Sequence, residues 1–311
     1  MRRIADLYPG DAKTDEKDAF IIADAARTLP HTLRALTAAD VDEASLAMLT
    51  GFDLDLARQV NQTSNRIRGL FTQIHPALEK VIGKRLEHDG MLEVLATWPT
   101  PQALKKAGRA RIDAKLKKHG ARRHAAWSQE LVDALAKQTV TVAGTDAAGL
   151  VIPHLARQLA HLHAQRADVA AQVERIVLDH PLYQVLTSMP GVGIRTAAVI
   201  IAELSGKHFK NAAALASYAG LAPTTRQSGT SIKSERVSHS GNKRLKRALF
   251  LSAFATIRTD AISRSYYDKK RAQGKRHNQA IIALAHRRLT VLHALIRDGS
   301  LYDTPELAQA A

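Results

Sequence analysis

From Val41 to Ile82 apolar side chains return at coiled-coil spacing, with Leu49, Leu56 and Leu70 on one line and Leu46, Val60, Ile67 and Ile74 on a second. Two apolar lines on a seven-residue return mark a long helix that buries one stripe. The stripe reappears farther on: Leu155, Leu162, Val169 and Ile176 stand seven apart, with Leu159 and Val173 between them and Arg166 as a polar interruption. Two such helices can pair with each other as an antiparallel hairpin or with a second subunit, and the pattern leaves both open. Toward the C-terminus, SMPGVGIRTAAVIIAEL has an apolar approach, a turn at Gly191 and Gly193, and an Ala/Ile-rich helix. The segment GNKRLKRALF then reads as a turn into a helix that turns Leu245, Leu249 and Phe250 inward. Alternating Val, Ile, Thr and Tyr runs are short and aromatics are only 5% of the chain, so the predicted fold is mainly α.

Charge changes this picture from a helical protein to one that meets a polyanion. The 311 residues carry a formal net charge of +16, which points to nucleic acid or another anionic surface. No apolar run approaches the roughly 20 residues needed to span a bilayer, and MRRIADLYPGDAKTD lacks the apolar core of a signal peptide. A soluble, cytoplasmic, nucleoid-associated bacterial protein is expected. The absence of cysteine excludes disulfides, thiolate zinc sites and cysteine nucleophiles. The 14 histidines are scattered without metal-ligand spacing, so zinc is not expected.

The cations are concentrated in two places. Between the long helices lie Lys105, Lys106, Arg109, Arg111, Lys115, Lys117, Lys118, Arg122 and Arg123 against Asp113 alone, flanked by Trp98 and Trp127. Charge of one sign favours a nucleic-acid backbone over a merely solvated face, and the tryptophans, bordering the run instead of alternating within it, are expected to anchor small cores. The second concentration, YAGLAPTTRQSGTSIKSERVSHSGNKRLKRALF, sets Arg226, Lys233, Arg236, Lys243, Arg244, Lys246 and Arg247 against Glu235. Just before it, the PGVG turn has the pattern of a helix-hairpin-helix. Its glycines leave backbone N–H groups at the start of the next helix, where they and Arg195 can hold a phosphate. Taken singly, PGVG is a common interhelical turn and Ser-Gly a common loop.

Chemistry is expected at KTDEKDA, where Thr14 is a candidate N-cap and Asp15 and Asp18 share one helix face. Two carboxylates projecting together can hold Mg²⁺, although acids also favour the first turn of any helix through its dipole. Asp11 and Asp24 lie nearby. Ser228, Ser231, Ser234, Ser238 and Ser240 crowd one segment and read equally as turn or phosphate-binding hydroxyls. Tyr266 and Tyr267 are the rival nucleophiles, but their surroundings read as helix packing.

The run PGVG, YAGLAP, QSG and GNKRLKRAL followed by a basic segment and an amphipathic helix, spanning Leu186–Gly299, resembles the C-terminal domain of the IS110 (insertion sequence 110) family of DEDD transposases, also described as bridge-RNA-guided recombinases. GDAKTDEKDAFIIADAART resembles the end of that family's RuvC-like catalytic domain. The resemblance implies residues 1–40 as a RuvC-like remnant, 41–182 as coiled coil and basic helices, 183–300 as a C-terminal transposase domain and 301–311 as a tail. It implies Asp15 and Asp18 as the third and fourth acids of a Mg²⁺ site and Ser228 as the nucleophile. It also implies element-end and target DNA, a guide RNA and a homo-oligomer built by the coiled coil as partners. The motif's first aspartate and its glutamate have no counterpart before this helix, so Met1 is expected to be an internal or misassigned start or the relic of a truncated gene, and the isolated chain to lack a complete two-metal site.

Two other classes stay open: a catalytically incomplete nucleic-acid-binding remnant, and a helix-hairpin-helix repair or architectural protein, which would leave TDEKDA unexplained.

Overall fold

The structure is a computed structural model that describes residues 14–28, 38–222, 224–228, 232–236 and 241–303, with backbone alone for 38–40 and for the two strands. The chain divides into two compact units, Met1–Glu43 and Ala44–Ala311.

In the first unit, α1 (Asp15–Thr28) starts where the Thr14 hydroxyl accepts a hydrogen bond from Lys17 N at 3.2 Å. Thr14 is therefore the N-cap, and the acids Asp15, Glu16 and Asp18 occupy the turn where the helix dipole favours them.

The second unit is organised by two long helices, α2 (Ala38–Ile74) and α7 (Thr145–Leu178). From Leu46 onward α2 shares two apolar cores with α7. Leu46 and Leu56 pack with Leu162, Val169, Val173 and Val177, whereas Ile67, Phe71 and Ile74 pack with Ile152, Leu155 and Leu159. Ascending numbers on one helix meet descending numbers on the other, so the two are antiparallel partners within one chain. Arg166, the polar interruption of the apolar stripe, places its guanidinium 2.8 and 3.2 Å from the two carboxylate oxygens of Asp53. That bidentate pair fixes the register of α2 against α7.

The connection between them is itself folded. His75 ends α2 and caps α3 (Pro76–Ile82): its Nδ1 accepts from Leu78 N at 3.2 Å, and Pro76 fills the first turn, where a missing N–H costs nothing. Helices α4 (Asp89–Thr97), α5 (Pro101–Lys118) and α6 (His124–Ala136) follow. Gly108, at φ +72°, kinks α5, a break that only glycine makes cheaply. Here α3 packs on α6, and α4 packs on α5 and α7, so the inserted helices complete one core.

The other core is completed by α8 (Tyr183–Ser188), α9 (Ile194–Leu204), α10 (Ala212–Tyr218), α11 (Lys243–Thr259), α12 (Ala261–Ala272) and α13 (His277–Asp298). Between α10 and α11 stands a hairpin of β1 (Thr224–Ser228) and β2 (Ile232–Arg236), antiparallel, with Ser228 opposite Ile232 and Thr224 opposite Arg236. The mainly helical expectation holds, but the serine-rich segment expected as a loop carries this two-stranded ribbon, TTRQS and IKSER supplying Thr and Ile around Gly229.

Leu159 is fully buried, so Leu159→Ala should cost about 2–5 kcal/mol, read as a lowered urea midpoint. Burial also pushes the His75 imidazole below its ordinary pKa, and capping α3 requires Nδ1 unprotonated. A depressed histidine contributes stability that is present above its unfolded pKa of roughly 6.5 and lost as pH falls through the lower folded value. The melting temperature should therefore fall on acidification from neutral pH, and His75→Asn should flatten that dependence.

Candidate nucleic-acid interface

The described residues that flank the hairpin segment on its two sides are clasped together. Asn242 N donates to Tyr218 O at 2.7 Å, and the Asn242 side-chain amide donates to the Tyr218 hydroxyl at 2.9 Å and to Glu203 Oε2. The same residue caps α11, its Oδ1 accepting from Arg244 N and Leu245 N at 3.0 Å each. Gly241, at φ +92°, lies so close to the opposite strand of chain that a Cβ would sit 2.6 Å from Gly220 N and 2.9 Å from Tyr218 O. YAG and GN are thus the two halves of one joint.

Glu203, only 9% exposed, is the anion at its centre. Arg244 Nε lies 3.0 Å from Glu203 Oε1 as an ion pair, while another guanidinium nitrogen donates to Thr50 Oγ1 at 2.6 Å and Ala47 O at 3.2 Å. Arg244, expected from sequence to face substrate, is therefore built into the fold and joins α11 to α9 and α2. Lys243 and Arg247 are exposed and Lys246 is half-buried.

The PGVG turn is also more internal than its sequence implies. Gly191 has φ +74°, and a Cβ there would come within 2.6 Å of Thr256 Cγ2 and 2.7 Å of Ser252 O on α11. Arg288, from α13, is 7% exposed and donates to Pro190 O and, at 3.2 Å, to Ser252 Oγ. Its burial pulls the guanidinium pKa below the ordinary value, a desolvation cost that these hydrogen bonds offset. Gly193 is different: nothing lies near its Cβ position, and it caps α9 with no side-chain hydrogen bond. The exposed end of α9, with Arg195, is the part of the turn that is free to meet a ligand.

In the inserted helices Lys105, Lys106, Arg109 and Arg111 are exposed along α5. The single acid there, Asp113, is engaged by His124 Nδ1 at 2.8 Å and by the Ser128 hydroxyl at 3.2 Å. The His124 hydrogen bond, above the other causes, holds its carboxyl below the usual range. Both tryptophans pack on the core, Trp98 beneath Lys115 at 5.8 Å and Trp127 beneath Arg85 at 5.1 Å.

Arg226, Ser228, Lys233, Ser234 and Arg236 are placed by the strand register alone, and Asp11, Ser231, Ser238 and Ser240 lie outside the described residues. Asp15 is exposed and Asp18 half-buried on α1. Among the described residues no three His, Asp or Glu side chains gather as a metal site, and no helix is long and apolar enough to cross a membrane. Tyr266 packs beneath Lys270 and Arg287, and Tyr267 bonds His277 Nδ1 at 2.6 Å. Sequence reasoning missed Glu203, Tyr218, Arg288 and the Asp53 partner of Arg166. A lone acid closing the apolar helix AAVIIAEL was the available signal for Glu203; nothing marked Arg288.

A basic helical body that carries a clasped, cation-rich hairpin matches one class of protein in two separate places. Residues 1–76 match the DEDD transposase family model, and residues 183–268 match the model described as the transposase IS116/IS110/IS902 family. An insertion element IS110 protein of Streptomyces coelicolor is 52% identical over 305 residues, 98% of this chain and 75% of that one. The IS900 protein of Mycobacterium paratuberculosis is 36% identical over all of this chain and 78% of its own length. A pilin gene-inverting protein of Moraxella bovis is 34% identical over 142 residues, 40% of this chain and 44% of that one. The protein is a transposase, and it belongs to the IS110 family of insertion elements.

The two glycines of the turn should separate internal packing from ligand binding. Gly191→Ala should destabilise the protein by about 2 kcal/mol or more through strain and overlap, whereas Gly193→Ala should leave the melting temperature nearly unchanged. A melting temperature equally insensitive to both would contradict the packing assigned to Gly191.

Proposed function

We propose that the protein cuts and rejoins DNA strands at the ends and target of its element, with Ser228 as the nucleophile. The observation that carries this reading is the Glu203–Tyr218–Asn242 joint, which ties the base of the Ser228 hairpin to a helix bearing Lys243 and Arg247. A hydroxyl attacking phosphorus needs rigid placement and nearby cations to offset charge building on the phosphoryl oxygens. In the proposed step the Ser228 Oγ–P bond forms as the bond to the leaving nucleotide oxygen breaks, and a covalent protein–DNA link conserves the phosphodiester for rejoining. Arg226, Lys233 and Arg236 neutralise the transferred phosphate, while Arg195, Lys243, Lys246 and Arg247 hold flanking strand. Arg244 acts by fixing the joint.

Asp15 and Asp18 offer hard oxygen donors on one face of α1, which fits Mg²⁺ held by one or two carboxylates with the rest of its shell from water and phosphate. Bound there, the metal would supply charge stabilisation to a phosphodiester. A guide RNA is assigned to the backbone-binding cations Lys105, Lys106, Arg109 and Arg111 of α5, and self-association, in line with the family, to faces other than the apolar stripes that α2 and α7 bury against each other.

Ser228→Ala should lower strand exchange by on the order of 10³-fold or more and remove covalent protein–DNA adducts, with nucleic-acid binding largely kept. The assay uses this chain with Mg²⁺, DNA bearing the element ends and RNA transcribed from the element. Adducts that persist in the variant would move the nucleophile to another serine. Binding without any product from the unaltered chain would return the binding-only alternative.

A further inference from the structure

A cleft of about 210 Å³ opens where α2 and α7 meet α9 and α11. Its polar lining is dominated by four arginines, two of which are already neutralised: Arg166 by Asp53 and Arg244 by Glu203. Arg195 and Arg247 are exposed and have no ion-pair partner among the described residues, so they give the mouth a net positive charge. The walls, by contrast, are aliphatic, with Leu54, Val173 and Val199 among them.

A surface that only tracks phosphates needs no apolar recess, and an apolar recess alone needs no unpaired guanidinium. The combination fits a ligand that is anionic at one end and flat and weakly polar at the other. The volume lies below the roughly 300–1,000 Å³ of sites that enclose a whole small molecule, which suits one base and not a complete cofactor. Asp53, bonded by Arg166 through both carboxylate oxygens, retains lone pairs that can accept from a base amine or a ribose hydroxyl.

We infer that this cleft captures one unstacked nucleotide of a bound single strand, the phosphate held by Arg195 and Arg247 and the base seated between the aliphatic walls. The inference rests on the proposed strand-handling function and deepens it: α11, which follows the hairpin directly, forms one wall.

The test uses the full chain and short single strands carrying 2-aminopurine, as DNA and as RNA, with duplex DNA as the comparison. Its fluorescence should rise on binding, because a base withdrawn from its neighbours is no longer stacked on them. Ala57→Phe, which fills the cleft without touching a charge, should abolish that rise and weaken single-strand binding about tenfold, the scale of one seated base, while duplex binding stays unchanged. Ala170→Leu fills the cleft from the opposite wall and decides the matter if thermal unfolding shows the first variant to be misfolded. Replacing both guanidiniums, Arg195→Gln with Arg247→Gln, should lower the salt dependence of single-strand binding by roughly 0.7, the share of the one phosphate left without a cation. A rise on RNA alone assigns the cleft to a guide strand and a rise on DNA alone to the element's strand, and either supports capture. Tight binding with unchanged fluorescence, or filled variants that bind as well as the unaltered chain, overturns the inference and leaves the strand-handling function standing. Failure of the unaltered chain to bind any strand at low salt overturns that function itself.

Discussion

Everything at the C-terminal end of this molecule depends on keeping one buried carboxylate satisfied. Removing a carboxylate from water costs several kcal/mol unless partners replace the missing hydration, and Glu203 is nearly inaccessible. It is satisfied by an amide from Asn242 and a guanidinium from Arg244, two residues that stand at the start of α11. Because Asn242 also binds Tyr218, and Arg244 also reaches Thr50 and Ala47, the groups that satisfy this charge also join α2, α9, α10 and α11. A polar joint of this kind does not add much net stability over an apolar one, but it admits few alternative arrangements. That restriction suits the role proposed for the hairpin, which needs a fixed base to place a nucleophile.

Much of the helical frame was legible from the apolar stripes, since a seven-residue return states which face of a helix is buried. The same stripes could not say whether the partner was another subunit, because self-pairing and pairing in trans bury identical surfaces. What decided it was Asp53 meeting Arg166, two residues 113 apart in sequence whose complementarity no local pattern reveals. The hairpin was missed for a related reason: its strands are short and polar, and the flanking contacts are made by Gly220, Gly241 and Asn242, distant partners that each look like ordinary turn residues. Gly191 was read only for its backbone, as part of a phosphate-binding type of turn, and the structure adds a second reason for glycine there, since a Cβ would meet Thr256 and Ser252 of α11.

The inserted helices α3 to α6 lie in the stretch between the two matched family segments, and their attachment has mechanical consequences. An insertion joined by flexible linkers would move independently of the hairpin. Here His75 caps α3 immediately after α2 ends, and α4 packs directly on α7, so the insertion shares a core with both long helices. The antiparallel pair therefore contributes side chains to a core at each end.

The arginines divide by environment, and the division explains why net charge alone could not locate the interface. Arg166, Arg244 and Arg288 are held by a carboxylate, a hydroxyl or a carbonyl and serve as internal fasteners, a role that a planar guanidinium with several donors performs better than an ammonium. Among the described residues, Lys105, Lys106, Arg109 and Arg111 along α5, Arg195 at the start of α9 and Lys243 and Arg247 at the start of α11 stay at the surface. Composition counts both groups equally, yet the field of a fastened cation is already offset by its partner. The effective positive field is therefore narrower than the sequence implies, and a guanidinium beside an apolar recess is less screened by water than one on an open face. By that argument the cleft edged by Arg195 and Arg247, more than the open face of α5, is where a single phosphate would be held most firmly.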